Sequence, residues 1–158
     1  ISELVYNEIK KDISNVVLLD GDVLRQIFGN DADHSINGRE KNARRLSNLS
    51  KFLSNEGIHV VAAVLSIFPE WQKWNRDNIP GYCQVFVDVP FEVLKKRETK
   101  GLYKAALNKE IKNVVGVDID FPKPIKNDLV LDNSKDRNDL TPLVKQVFRI
   151  KKITEYLK

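Results

Sequence analysis

The sequence predicts an α/β fold, a parallel sheet with helices on both of its faces, and three observations carry that expectation. Residues 16–19 are four apolar residues with no alternation, which fits a strand buried on both faces better than a half-exposed one. The run passes directly into Asp20-Gly21-Asp22 and a helix start, and strand followed by helix is the repeating unit of a wound parallel sheet. Two further apolar runs, 58–65 and 83–89, are each followed by proline and helical spacing, so the unit recurs along the chain.

Taken in order, Ile1, Leu4, Val5 and Ile9 have helical spacing that runs up to the first residue with no cap before it. Residues 12–15 connect this helix to the first strand. In open α/β sheets ligands sit outside the carboxyl ends of the strands, so Asp20 and Asp22 face a crevice. Gly21 allows a sharp turn between them, and Asp22 is placed to cap the next helix, whereas Asp20 has no such structural role. That helix ends near Phe28 at Gly29-Asn30, and a polar loop covers 30–38. A long helix follows over 39–56, with Ala43, Leu46, Leu49, Phe52 and Leu53 on one face and Gly57 as its stop. The second strand, 58–65, brings Ser66 to its carboxyl end. Pro69 opens a helix in which Trp71 and Trp74 have the spacing of core residues. Pro80-Gly81 breaks the chain before the third strand, 83–89, and Pro90 ends it, so the strand ends add to one shared edge.

A helix over 91–97 comes next, then Lys100-Gly101-Leu102-Tyr103-Lys104 and a short basic helix ending near Lys112. Residues 113–124 read as an ordered loop. The basic, glycine-hinged segment from about 97 to 124 has the character of a lid over the crevice. A last strand at 129–131 precedes a single C-terminal helix over 140–157, with Leu143, Val147, Ile150 and Ile153 in register.

The 158 residues suit one domain, with 42% hydrophobic and 30% charged residues, both ordinary for a globular chain. No run approaches a membrane span and no signal segment is visible, so a cytoplasmic location without a membrane partner is expected. One cysteine, Cys83, excludes an internal disulfide and reads as a structural thiol in a strand. The net charge of +4 is concentrated in 39–51 and 95–112, without interleaved stacking aromatics. Such clusters suit a polyanionic small molecule, such as a nucleotide, rather than nucleic acid. The chain contains no methionine, and with the uncapped helix at Ile1 this leads us to expect further sequence upstream.

Together, LDGDVLR at 19–25, GREKNARR at 38–45, VVAAVLS at 60–66, VFVDVP at 85–90 and KGLYKAA at 100–106 resemble the adenylylsulfate kinase family over nearly the whole chain. The resemblance implies a P-loop NTPase fold of the nucleoside-monophosphate-kinase type. It implies transfer of the γ-phosphoryl of Mg²⁺-ATP to the ribose 3′-hydroxyl of adenylylsulfate, giving 3′-phosphoadenylylsulfate for sulfate activation. It also implies a homodimer. Family members begin with a strand and a GxxxxGK[ST] loop that holds the ATP phosphates. The sequence contains neither, so both are expected upstream of residue 1, and without that loop the chain would be a non-catalytic nucleotide-binding module.

By the same resemblance Asp22 acts on the 3′-hydroxyl as general base or orienter, and Asp20 acts nearby through the Mg²⁺ water shell. Arg25, Arg39 and Asn42 match the clamp on the acceptor nucleotide. Ser66 matches a serine near metal and phosphates, beside its plainer reading as a strand-end hydroxyl bonded to backbone. Lys100 and Lys104 match lid lysines that meet the transferring phosphate and the acceptor, with Gly101 and Leu102 as lid backbone, and Arg97 falls on the ATP side. His34 stands where many members carry a phenylalanine that stacks on the adenine, and Phe121 matches the partner aromatic. After Ser66 the family's PYRxxR is replaced by Ile67-Phe68-Pro69-Glu70, and Arg76 is a candidate to supply the missing charge. These departures keep a second acceptor open, another activated nucleotide such as cytidine diphosphoramidate in capsule modification.

Overall fold

A computed structural model describes residues 1–157, in the order α1 (Ser2–Lys10), β1 (Val16–Asp20), α2 (Gly21–Ile27), α3 (Ile36–Asn55), β2 (His59–Ala63), α4 (Pro69–Asn78), β3 (Val85–Asp88), α5 (Phe91–Arg97), α6 (Leu102–Leu107), β4 (Leu129–Asp132), α7 (Thr141–Val147) and α8 (Lys151–Tyr156). All strand pairing between these elements is parallel. β1 pairs with β2 from Val16↔His59 to Asp20↔Ala63, and β3 pairs with β4 from Val85↔Leu129 to Asp88↔Asp132.

One apolar cluster joins both pairs. Val5 and Ile9 of α1, Val16 of β1, Leu131 of β4, and Leu143, Val144 and Val147 of α7 are its buried members, with Val61 of β2 and Val85 of β3 packed against them. Burial of each such side chain stabilises by roughly 2 kcal/mol. A second cluster, Ile67, Phe68 and Ile119 with Ala43, Trp71 and Phe121, lies under α3 and α4. Of the two tryptophans only Trp71 packs against this cluster; Trp74 lies beside it, with ring centroids 5.6 Å apart, and neither is fully buried. Cys83 is half-buried, and burial pushes its thiol up to about 11, so it stays protonated as a structural group.

β2 and β3 are not hydrogen-bonded to each other, and the sheet is two separate pairs. No residue of β2 or β3 reaches full burial, whereas Val16 in β1 is 3% exposed and Leu131 in β4 is 0% exposed.

Three helix boundaries differ from expectation. α3 starts at Ile36, three residues early, because Ser35 caps it through the N–H of Gly38. Its buried face is made of Gly38, Asn42, Leu46, Ser47 and Ser50, and Phe52 is 59% exposed, since small residues allow α3 close approach to β2 and α4. The short basic helix ends at Leu107 rather than near Lys112. The expected single C-terminal helix breaks into α7 and α8, and the turn between them lets Lys152 reach the Tyr82 carbonyl oxygen at 3.0 Å.

Candidate active site

The site grows from the turn between β1 and α2. Asp20 has extended backbone and is itself the cap of α2: its Oδ1 accepts the N–H of Asp22 at 2.8 Å and of Val23 at 3.2 Å. This reverses the sequence expectation, in which Asp22 capped the helix. α2 begins at Gly21, so the capping position moves back onto Asp20. The Asp22 carboxylate has no backbone to hold; it is 84% exposed, with Oδ1 3.8 Å from Arg25 Nε. Gly21 is helical, and a Cβ there would meet Ala63 O and Asn42 Nδ2 at ordinary contact distances of 3.6 Å, so the turn does not demand glycine. Asn42 is buried beneath this turn, where its Nδ2 donates to the Gly21 carbonyl at 3.0 Å and its Oδ1 has no partner among the described residues.

Two arginines tie the polar loop 30–38 to the acid turn. Arg25, one helical turn after Asp22, donates through Nη1 to the carbonyls of Ala32 at 2.5 Å and Asp33 at 2.8 Å. Arg39 Nε donates to the His34 carbonyl at 2.8 Å, and Arg39 Nη2 to the Asn113 carbonyl at 3.0 Å. Burial and the neighbouring Arg25 push the Arg39 guanidinium below its ordinary value, while Asp22 and Asp118 act the other way. Asp22, Arg25, Arg39 and Asp118 therefore meet at one place, and an anionic ligand is what two clustered guanidiniums are built to hold.

The loop is pinned again at its start. Asp31 accepts from Arg45 at 2.5 and 2.7 Å and from Lys41 at 2.9 Å, and those hydrogen bonds hold its carboxyl far below the usual range. The Arg45 guanidinium lies 4.6 Å over the Phe28 ring. None of Asp31, Lys41 and Arg45 stood out in the sequence as an anchor. Gly38 is where the loop and α3 come closest: a Cβ there would fall 2.2 Å from Asp33 Oδ1 and 2.3 Å from Asp33 O. Gly38→Ala is therefore expected to displace the loop and to cost about 2 kcal/mol by overpacking, read as a lower thermal midpoint together with a higher acceptor KM.

Other candidates fall further out. His34 is exposed and is held through its backbone carbonyl. The Phe121 ring is stacked on Phe86 at 6.0 Å, within the second apolar cluster. Ser66 Oγ accepts from Gln72 Nε2 at 3.1 Å, the strand-end hydrogen bond of its plainer reading, though with a side chain as partner rather than backbone. Lys100, Gly101, Leu102 and Lys104 are exposed, and neither lysine has an ion-pair partner among the described residues. A shallow cleft of ≈ 570 Å³ runs past Arg97, Lys100, Gly101, Leu102 and Ile111, and the acid pair does not line it. Arg97 is fully engaged by the loop after β4, with Asn133 O at 2.8 Å, Lys135 O at 2.7 Å and Asp136 Oδ1 at 3.0 Å. Arg76 does not supply charge to the site: it bonds Asp128 at 3.0 Å and Lys126 O at 2.9 Å, at the amino end of β4. Within the expected 97–124 lid, Ala106, Val114 and Ile119 are each 6% exposed, so these residues are packed against the rest of the chain.

Parallel strands with carboxylates at their carboxyl ends and two arginines on the neighbouring helices make an α/β anion site, and the match to a solved APS kinase gives the fold as that of a P-loop kinase. The chain belongs to the adenylylsulphate kinase family, whose model matches residues 1–132. The chain is 40% identical to the cytidine diphosphoramidate kinase of Campylobacter jejuni, over 94% of this chain and 86% of that protein. It is 35% identical to the adenylyl-sulfate kinase of Clostridium acetobutylicum, over 89% of this chain and 67% of that protein. Among solved structures, the Mycobacterium tuberculosis APS kinase CysC in complex with AMPPNP and APS superposes with a TM-score of 0.82 at 30% identity, covering 94% of this chain and 87% of that one. These findings identify a nucleotide kinase. No helix among the described residues is long and apolar enough to cross a membrane.

Proposed function

We propose that this protein transfers the γ-phosphoryl of ATP to the ribose 3′-hydroxyl of an activated nucleotide, and that a cytidine nucleotide such as cytidine diphosphoramidate is a better acceptor than adenylylsulfate. The observation that carries the reaction is the convergence of an uncommitted Asp22 carboxylate with the Arg25 and Arg39 guanidiniums. The arginines hold the acceptor's anionic group, leaving the sugar hydroxyl beside Asp22. A bond forms between the 3′-oxygen and the γ-phosphorus as the bond from that phosphorus to the bridging oxygen of ADP breaks. The hydroxyl proton passes to the Asp22 carboxylate. Because the transition state of phosphoryl transfer is loose, Asp22 contributes as much by orienting the hydroxyl as by taking its proton. Lys100 and Lys104 stand ready as cations on the lid, and Arg97 holds the lid's first hinge against the loop after β4 on the ATP side.

Mg²⁺ fits this donor set. The ion takes one or two carboxylates and completes its shell with water and phosphate oxygens, which suits Asp20 acting through water with Asp22 beside it. Bound there it would neutralise phosphate charge.

Two observations favour the cytidine acceptor. The 40% identity to a cytidine diphosphoramidate kinase exceeds the 35% identity to an adenylyl-sulfate kinase. The expected aromatic sandwich for adenine also has an exposed imidazole, His34, in place of one of its two rings. The test is a panel of cytidine and adenosine acceptors incubated with Mg²⁺-ATP and the full-length protein, scored for ADP and for 3′-phosphorylated product. Turnover of cytidine diphosphoramidate at roughly tenfold or more over adenylylsulfate is expected, within reach of pocket discrimination. Higher turnover of adenylylsulfate would restore the sulfate-activation reading, and no turnover of any acceptor would end both.

A further inference from the structure

We propose that Asp118 is a positioning residue for the acceptor nucleotide, acting through the 113–118 turn and Arg39 without touching the ligand. The proposal rests on the reading that the acceptor lies against Arg25 and Arg39. The 113–118 turn is tightly closed. Asp118 Oδ2 accepts the N–H of Asn113 at 2.7 Å, and its Oδ1 accepts the N–H of Val114 at 2.6 Å. The N–H groups of Val117, Asp118 and Ile119 all donate to the Val114 carbonyl, and Gly116 N donates to Ile119 O at 2.7 Å. Asn113 is held at φ 67° and Gly116 at φ 88°, left-handed conformations that an unbraced loop adopts at a cost, most of all at the asparagine. Val114 and Ile119 anchor the turn in the core.

What this braced turn presents outward is the Asn113 carbonyl, and Arg39 Nη2 bonds to it. The same guanidinium holds the His34 carbonyl through Nε. Arg39 is thus a strap between the acceptor loop and a turn 74 residues further along the chain, with its remaining N–H groups left for an anionic ligand. A guanidinium fixed at two points is aimed before the ligand arrives, which lowers the ordering cost of binding. Asp118 also supplies one of the two negative charges that offset the mutual repulsion of Arg25 and Arg39. Removing its carboxylate both unbraces the Asn113 carbonyl and leaves the arginine pair less compensated.

The test uses the full-length protein and the Asp118→Asn variant. The acceptor KM is expected to rise about tenfold, the loss of one charge-assisted bond, with the ATP KM within about twofold of the parent. In a double-mutant cycle with Arg39→Lys the two effects on acceptor KM are expected to be non-additive, because both act on one strap. An unchanged acceptor KM, an equal rise in both KM values, or full additivity overturns the proposal. Hydrogen exchange decides the strap independently of acceptor identity: exchange in residues 30–38 should quicken in Asp118→Asn. A change confined to 113–118 overturns it, even if no nucleotide turns over and the functional reading has failed. If Asp118→Asn does not fold, Arg39→Lys probes the strap from its other end, and unchanged exchange at 113–118 is then the overturning result.

Discussion

Replacing Asp22 with asparagine is expected to lower kcat by about 10²- to 10⁴-fold, the range for a positioned general base. The change keeps the shape and one hydrogen-bonding oxygen and removes the charge that orients the sugar hydroxyl. Stability should hardly move. The carboxylate is 84% exposed and its nearest cation is 3.8 Å away, a geometry in which an ion pair is worth about 0–1 kcal/mol. The thermal midpoint should therefore stay within about 3 °C of the parent. Asp20→Asn is the contrasting variant. Asparagine caps helices about as well as aspartate, so α2 remains intact and the loss of rate isolates the effect of charge at the proposed Mg²⁺ position. Kinetics of both variants with the preferred acceptor, beside thermal melts, check the assignment. A fall in kcat of less than about threefold for Asp22→Asn would falsify the base role.

Asp128→Ala is expected to act in the opposite manner, on stability and not on chemistry. Asp128 joins three elements: its Oδ2 accepts the Gln84 N–H at 2.8 Å and Arg76 at 3.0 Å, and its Oδ1 accepts Lys152 at 3.3 Å. The side chain is 18% exposed and its partners are 28% and 39% exposed. Truncation leaves a backbone donor and two cations without their acceptor, at a cost of about 2–4 kcal/mol after allowance for solvent screening. That corresponds to a fall in thermal midpoint of about 5–15 °C. KM and kcat should remain near the parent values, because this network lies at the amino ends of β3 and β4, away from Asp22. The pH dependence has a definite sign. Burial of Asp128 opposes its charge, and the Gln84 N–H with the Arg76 guanidinium outweigh it, so the folded carboxyl lies below its usual range. A depressed carboxyl contributes its full stability above the unfolded value, about pH 4, and loses it as pH falls through the folded value. The gap in midpoint between parent and Asp128→Ala should accordingly narrow below about pH 4. A gap that widened on acidification would contradict the network.

The acid turn was legible in sequence because an apolar run, a carboxylate and a helix start lie within a few residues. Which carboxylate capped the helix was not legible. A shift of one residue in the helix start moved that task from Asp22 to Asp20. The long helix was legible from its period, but its buried stripe was misread at Phe52: large apolar residues suggest burial, while close packing selected Gly38 against Asp33, and Ser47 and Ser50 further along the helix. Arg76 is the clearest failure of spacing as a guide. It stands near the altered segment after Ser66 in sequence, but its charge is taken by Asp128, 52 residues away.

From the sequence alone come the succession of strands and helices, the acids at the end of β1, and the arginines of the clamp, because periodicity, capping and turn chemistry act over a few neighbours. Only the tertiary structure settled that Asp22 is the uncommitted acid, that Arg39 spans two distant backbones, and that the strands fall into two separate pairs. Each of these depends on partners brought together from far along the chain. Whether a guanidinium finds a carboxylate, a carbonyl or a ligand is fixed by packing, which local pattern does not encode.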